Sequence, residues 1–145
     1  MKKILSIFTA LTIALVVNAA IPEKLYLTPN SNWTQANARF AAYFFGNGEK
    51  WVDMTDGDED GIYEVDVPSG YSKVIFCRMK PSAAANNWDN KWNQTGDLTI
   101  PTDGKNLFTI PSGSWTGATT TWSIYTPPVY TIAGSSVILG SNWSP

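Results

Sequence analysis

Six of the chain's seven tryptophans stand at Trp33, Trp51, Trp88, Trp92, Trp115 and Trp122, among asparagine, glutamine, glycine and threonine. The densest stretch is Asn86-Asn87-Trp88-Asp89-Asn90-Lys91-Trp92-Asn93-Gln94-Thr95. A small core needs few indoles, so a surplus set beside neutral amides has another use. Flat rings offer apolar faces, and amides offer both donors and acceptors. Together they suit a ligand with C–H faces and hydroxyl edges, which is the anatomy of a pyranose.

Within this set Trp88 and Trp92 lie four positions apart. On a helical turn they would share a face; in a loop, one could plug the core while the other stays exposed. Asn93 and Gln94 follow directly, and either grip ligand hydroxyls or bond the local turn. Arg78 and Lys80 flank the end of the apolar run Val74–Met79. They either donate to a ligand or cover a sheet edge. Trp33, Trp115 and Trp122 read as structural, because each sits at a strand end or in a Thr-rich edge strand.

Other chemistries are poorly provided for. The chain has no histidine, which removes the usual general base, the Ser-His and Cys-His arrangements and the commonest zinc ligand. Its one cysteine, Cys77, lies in the apolar run Val74-Ile75-Phe76-Cys77 and reads as a buried, inert thiol with no disulfide partner. Asp89 and Asp97 are carboxylates of the kind a glycosidase pairs, but no signature surrounds them, and the chain reads as non-catalytic with no cofactor. Asp56-Gly57-Asp58-Glu59-Asp60-Gly61 resembles the first half of a calcium loop. The slot of the closing glutamate falls on Val67, so the segment reads as a solvated hairpin turn joining Trp51–Met54 to Gly61–Val67, with no metal. Twelve acidic residues against ten basic ones, without a basic cluster, argue against nucleic acid or an anionic membrane as partner.

The elements that must position these residues are short. Met1-Lys2-Lys3, an apolar run from Ile4 to Val17 and the small residues Ala19-Ala20 predict a secretory signal peptide over 1–20, too short for a membrane span. The expected destination is secreted, extracellular or at the cell surface. Residues 21–126 are long enough for one domain with its own core. Thr126-Pro127-Pro128 reads as a stiff linker. Val129–Ala133 and Gly140–Pro145, whose Asn-Trp-hydroxyl turn echoes Ser31-Asn32-Trp33-Thr34, read as the truncated start of a second module over 127–145.

Apolar runs separated by Gly, Pro, Asn and Asp clusters predict an all-β domain, an antiparallel two-sheet β-sandwich. The expected strands are Lys24–Thr28, Arg39–Phe45, Lys50–Asp53, Gly61–Val67, Lys73–Met79, Asp97–Ile100, Lys105–Ile110 and Thr120–Tyr125. Alternation turns Tyr63, Val65 and Val67 inward, with Glu64 and Asp66 to water. Val52 and Met54 join the core, and Trp51 and Asp53 point out. In Arg39–Phe45, Phe40, Ala42 and Phe44 share one face; Arg39, Ala41, Tyr43 and Phe45 share the other. Either both faces are buried or the second is a wet aromatic platform. We take the second, because Trp51 follows closely on the Gly46-Asn47-Gly48 turn.

In this order the pieces are similar to the starch-binding carbohydrate-binding modules of family 26, especially those of secreted multi-module proteins from Gram-negative polysaccharide degraders. The resemblance spans about Leu25 to Tyr125. It is borne by Tyr26-Leu27-Thr28 with Asn32-Trp33, Ala42-Tyr43-Phe44-Phe45, Lys50-Trp51-Val52-Asp53-Met54, Asp60-Gly61-Ile62-Tyr63, Val74-Ile75-Phe76 and Asn93-Gln94-Thr95-Gly96-Asp97-Leu98. It implies a β-sandwich that binds α-1,4-glucan by stacking sugar rings on a Tyr-x-Tyr pair and a following Trp. Tyr43 matches the first Tyr and Trp51 the Trp. Phe45 stands in the place of the second Tyr, keeping the ring without the hydroxyl, and Val52-Asp53 replaces the frequent Pro-Gly after the Trp. The expected substrate-binding residues are therefore Tyr43, Phe45, Trp51, Arg78, Trp88, Trp92, Asn93 and Gln94. The expected partners are an α-glucan and, in the full-length chain, further modules or an amylase. A β-glucan module and a spacer or adhesion domain without a sugar site are the alternatives; the spacer requires Tyr43, Phe45 and Trp51 to be buried.

Overall fold

The computed structural model describes residues 20–117 and 122–129. The leader and nearly all of the second-module start lie outside the described residues. Among the described residues no helix is long and apolar enough to cross a membrane.

Nine strands and two 3-10 turns make up the described chain. The strands are β1 (Lys24–Thr28), β2 (Arg39–Phe45), β3 (Glu49–Asp53), β4 (Tyr63–Asp66), β5 (Lys73–Met79), β6 (Lys91–Gln94), β7 (Leu98–Thr99), β8 (Leu107–Thr109) and β9 (Trp122–Ser123). The 3-10 turns are Gln35–Asn37 and Trp88–Asn90. Sheet I has the order β4-β1-β8-β9; sheet II runs β3-β2-β5-β6, with β7 also pairing β5.

The main core draws on both sheets. Leu25, Leu27, Val65 and Phe108 come from sheet I, and Phe40, Ala42, Phe44, Val74 and Phe76 from sheet II. Aromatic contacts join them: Phe76 lies 5.8 Å from Phe108, and Phe40 meets Tyr63 edge-on at 4.5 Å. The alternation in β2, β4 and β5 explains these choices, since one side chain in two must be apolar where a strand lies on a core. Val65 is buried, and Tyr63, Val67 and Val52 pack against the core from its rim.

Three sequence expectations need correction. The sheets are not wholly antiparallel: β1 pairs with β8 in parallel, Leu27 opposite Phe108. Parallel neighbours require a long crossover, and almost the whole domain intervenes between these two strands. The acidic segment closes no hairpin either. β3 lies in sheet II and β4 in sheet I, so the chain changes sheets there, bridged by Thr55 and Glu64, whose amides each bond the other's carbonyl at 3.1 and 2.7 Å. Third, Lys91–Gln94 is a strand. Its polar sequence hides it, because it is the last strand of sheet II and one side of it meets water.

The acidic turn is held by its own carboxylates. Asp56 accepts from the amides of Asp60 and Gly61 at 3.1 and 3.0 Å, and Asp60 accepts from the amide of Ile62 at 2.7 Å. The Asp60 carboxylate also accepts the Tyr125 hydroxyl at 2.9 Å, which fastens the end of the domain to this turn. Lost hydration, and then the Asp60 bond with the charges of Asp60 and Asp58, push the Tyr125 phenol from 10.0 up to about 12. The folded chain therefore holds this proton more tightly than the unfolded chain. The contribution is complete below about pH 10 and disappears as the pH rises towards 12. Melting temperature should fall across that window more steeply in the wild type than in Tyr125→Phe; equal slopes would remove this link.

Candidate functional site

β2 and β3 form a hairpin through Gly46-Asn47-Gly48, with Phe45 opposite Glu49 and Tyr43 opposite Trp51. Gly46 sits at φ 102, and a Cβ there would stand 2.7 Å from the Ser72 hydroxyl, so only glycine fits. The tight turn brings Trp51 beside Tyr43 on the face of sheet II away from the main core. That face carries a second, smaller apolar cluster: Ala41 and Tyr43 from β2, and Ile75, Cys77 and Met79 from β5, with Phe45 and Trp51 packed against it. Cys77 is fully buried there, and desolvation pushes its thiol up to about 12, which keeps it protonated and unreactive.

The aromatic side chains of this face touch one another. Tyr43 and Phe45 stack at 5.7 Å, and Tyr43 meets Trp51 at 4.9 Å with a 50° tilt. Trp88 arrives from the loop between β5 and β6 and sets its ring edge-on to both Tyr43, at 4.7 Å, and Trp51, at 4.8 Å and 67°. Tyr43 is consequently covered, with 6% of its surface exposed, whereas Trp88 is 43% exposed and Phe45 and Trp51 are half-buried. The expected wet face of β2 is therefore corrected: the strand is buried on both faces apart from its end residues Arg39 and Phe45, and an exposed aromatic surface stands above it instead. Tyr43 lies beneath this platform, and Phe45, Trp51 and Trp88 form it. Burial, with the Glu49 carboxylate as a further cause, pushes the Tyr43 phenol pKa upward.

Arg39 builds the loop that delivers Trp88. Its guanidinium donates to the carbonyls of Ala83 and Ala85 at 2.9 and 3.1 Å, to Asp53 at 2.9 Å, and to the side-chain oxygen of Asn86. Asn86 in turn donates to Asp53 at 3.0 Å. Asn87 caps the 3-10 turn by accepting from the amide of Asn90 at 2.9 Å. The Asn-rich run is therefore used largely to build its own loop, Asn86 through the Arg39 and Asp53 side chains and Asn87 and Asn90 through backbone, which holds Trp88 over the sheet. Polar groups surround the platform. The Lys73 ammonium lies 5.6 Å from the Phe45 ring and that of Lys91 5.9 Å from the Trp88 ring. Gln94, opposite Cys77 in register, shares the face.

Arg78, Trp92 and Asn93 belong elsewhere. Val74, Phe76 and Arg78 alternate with Ile75, Cys77 and Met79 along β5, so Arg78 points to the main-core side and ends that row. It is 6% exposed and donates through Nε to the Trp33 carbonyl at 2.7 Å and through Nη2 to the Gln35 carbonyl. The pairing of β5 with β6 slips between Arg78 and Met79, and Trp92 is the extra residue of this bulge. The bulge aims Trp92 at Arg78, whose guanidinium carbon lies 4.4 Å from the ring centroid. The eight expected residues thus divide between two locations, five on the aromatic face and three in a groove behind it.

Trp33 and Trp122 are structural, as expected: Trp33 is 0% exposed, and Trp122 packs against the core. Trp115 is not. Its side chain is 42% exposed and stands 5.7 Å from the Arg78 guanidinium carbon. Sequence reading missed it because its exposure depends on how the 111–117 loop is tied down. Asn30 donates to the carbonyls of Pro111 and Ser114, and the Trp33 indole donates to the Trp115 carbonyl at 3.1 Å. Backbone bonding spends the carbonyl and leaves the Trp115 ring outside. Lys73, Lys91 and Glu49 were also missed, since only strand pairing puts them beside the rings. No family model, curated protein or solved structure matches this chain.

Proposed function

We propose that the two sheets pack as a β-sandwich and that the chain is a secreted, non-catalytic module that binds α-1,4-glucan on the aromatic face of sheet II. The observation that supports this most is the pair Trp51 and Trp88, in contact and inclined at 67°. A straight β-glucan presents its rings to coplanar platforms. A helical α-glucan presents a curved apolar ribbon, which suits two faces set at an angle, with Phe45 extending one side. Lys73, Lys91, Gln94 and Glu49 supply charged or amide partners for the hydroxyl edges.

The burial of Tyr43 is what a spacer domain would require, but an indole as exposed as Trp88, fixed by a dedicated loop, is not. By analogy with base stacking, each ring contributes roughly 1–3 kcal/mol, with sugars at the low end. Two or three rings then give an affinity of order micromolar to sub-millimolar, since immobilisation offsets much of the gain. Linked to further modules or to an amylase, such a site would hold an insoluble polymer by avidity.

Electrophoresis through a gel containing soluble starch tests the reading. The protein should be retarded, and maltoheptaose should shield its tryptophan fluorescence from iodide. Free migration together with unchanged quenching would leave the spacer reading in possession.

A further inference from the structure

Behind the aromatic face, a groove of about 580 Å³ opens between Trp92 and Trp115, with Arg78 between them and Gln35, Ala36 and Asn93 completing the lining. Its two indoles are 39% and 42% exposed, a large apolar area for side chains that cover no core. Arg78 is set by two bonds to backbone carbonyls and lies against both rings, at 4.4 and 5.7 Å, so the rings rest on a rigid support. Its Nη1 makes no hydrogen bond among the described residues, and neither do the side-chain amides of Gln35 and Asn93. The groove therefore pairs two apolar ring faces with a cationic donor and two amides. Ala36, at its rim, is held at φ 58, a left-handed conformation costly for a residue with a Cβ.

We propose that this groove is a second glycan subsite, which takes a short neutral gluco-oligosaccharide segment independently of Trp51 and Trp88. The choice of sugar rests on the α-glucan reading of the first face; the site itself rests on separate residues. A nucleic acid or polyanion suits it less well, because among the described residues one stacked guanidinium is its sole cation, and the chain is acidic overall. The subsite lies on the Phe76 side of sheet II and the first face on the Ile75 side, so β6 separates them. A molecule built in this way grips two segments of glucan at once. It could cross-link neighbouring chains of a granule where a single-faced module could only adhere.

The test is titration of ¹⁵N-labelled protein with maltotriose, followed at the indole N–H resonances assigned by substitution, for the wild type, Trp51→Ala and Trp115→Ala. The Trp115 variant keeps the carbonyl that accepts from Trp33, so the loop keeps its tie. Shifts at Trp92 and Trp115 that persist in Trp51→Ala, and an affinity read at Trp92 that weakens roughly 5- to 150-fold in Trp115→Ala, are the expected result. Shifts confined to Trp51 and Trp88, with one maltotriose bound, would overturn the second subsite and leave the first face standing. Shifts confined to Trp92 and Trp115 would uphold the groove and overturn the first face. No shift at any indole at tens of millimolar sugar would overturn both.

Discussion

Trp51→Ala should abolish retention on a soluble-starch gel while the domain stays folded. Trp51 is half-buried and touches Tyr43 at 4.9 Å and Trp88 at 4.8 Å. Its removal deletes one stacking face and also the surface against which Trp88 stands. Loss of a ring costs roughly 1–3 kcal/mol, or about 5- to 150-fold in affinity. A site that starts in the weaker, sub-millimolar part of the expected range then falls below what a gel detects. Loss of the neighbouring abutment adds to this, because Trp88 must be ordered again at binding. The stability cost should be small, since most contacts of Trp51 lie at the surface. Ile124→Ala, at an exposed position far from the platform in the fold, serves as the control and should migrate like the wild type. Retention of Trp51→Ala equal to that of the wild type would exclude this face as the principal glucan site.

The largest effect on stability should come from Trp33→Ala. Trp33 has no exposed surface, stacks on Phe40 at 6.1 Å and 14°, and donates its indole N–H to the Trp115 carbonyl. Truncation leaves a ring-sized void in the main core and an unpaired carbonyl beside it. Substitutions of this kind cost about 3–5 kcal/mol, and each kcal/mol lowers the melting temperature of a domain this size by about 4–8 °C. The melt of Trp33→Ala should therefore fall by more than about 12 °C. Trp33→Phe retains much of the volume and loses the hydrogen bond, so its loss should be a minority of the total, about 1 kcal/mol plus a packing term. A melt for Trp33→Ala within a few degrees of the wild type would contradict this core. The same variant also reports on the groove, because Trp33 provides the carbonyl that orients Arg78 and the donor that ties the Trp115 loop.

Strand pattern and face were legible before any coordinates. The runs Lys24–Thr28, Arg39–Phe45 and Lys73–Met79 are strands with those bounds, and in Arg39–Phe45 the face read as Phe40, Ala42 and Phe44 enters the main core. The reason is local: a residue two places along a strand must share its neighbour's environment, and that rule needs no knowledge of the partner strand. The parallel pairing of β1 with β8, the change of sheet at the acidic turn and the polar strand β6 follow from what lies across from each segment. Period alone does not encode that information.

The types of residue in the candidate site were likewise open to reading, because indoles beside amides have few uses. Their grouping was not. Arg39 is an ordinary strand-end arginine in the sequence; in the fold its bonds to Ala83, Ala85, Asn86 and Asp53 bring Trp88 over Tyr43 and bury that ring. A bulge of one residue sends Trp92 away from Trp88, although only three residues separate them in the chain. Sequence by itself determined the β architecture, the two-sided character of β2 and the supply of aromatic and amide groups, all consequences of composition and a period of two. Which rings are covered, which are exposed, and how the candidate residues divide between a face and a groove were decided by tertiary structure alone, because exposure is set by contacts between segments far apart in the chain.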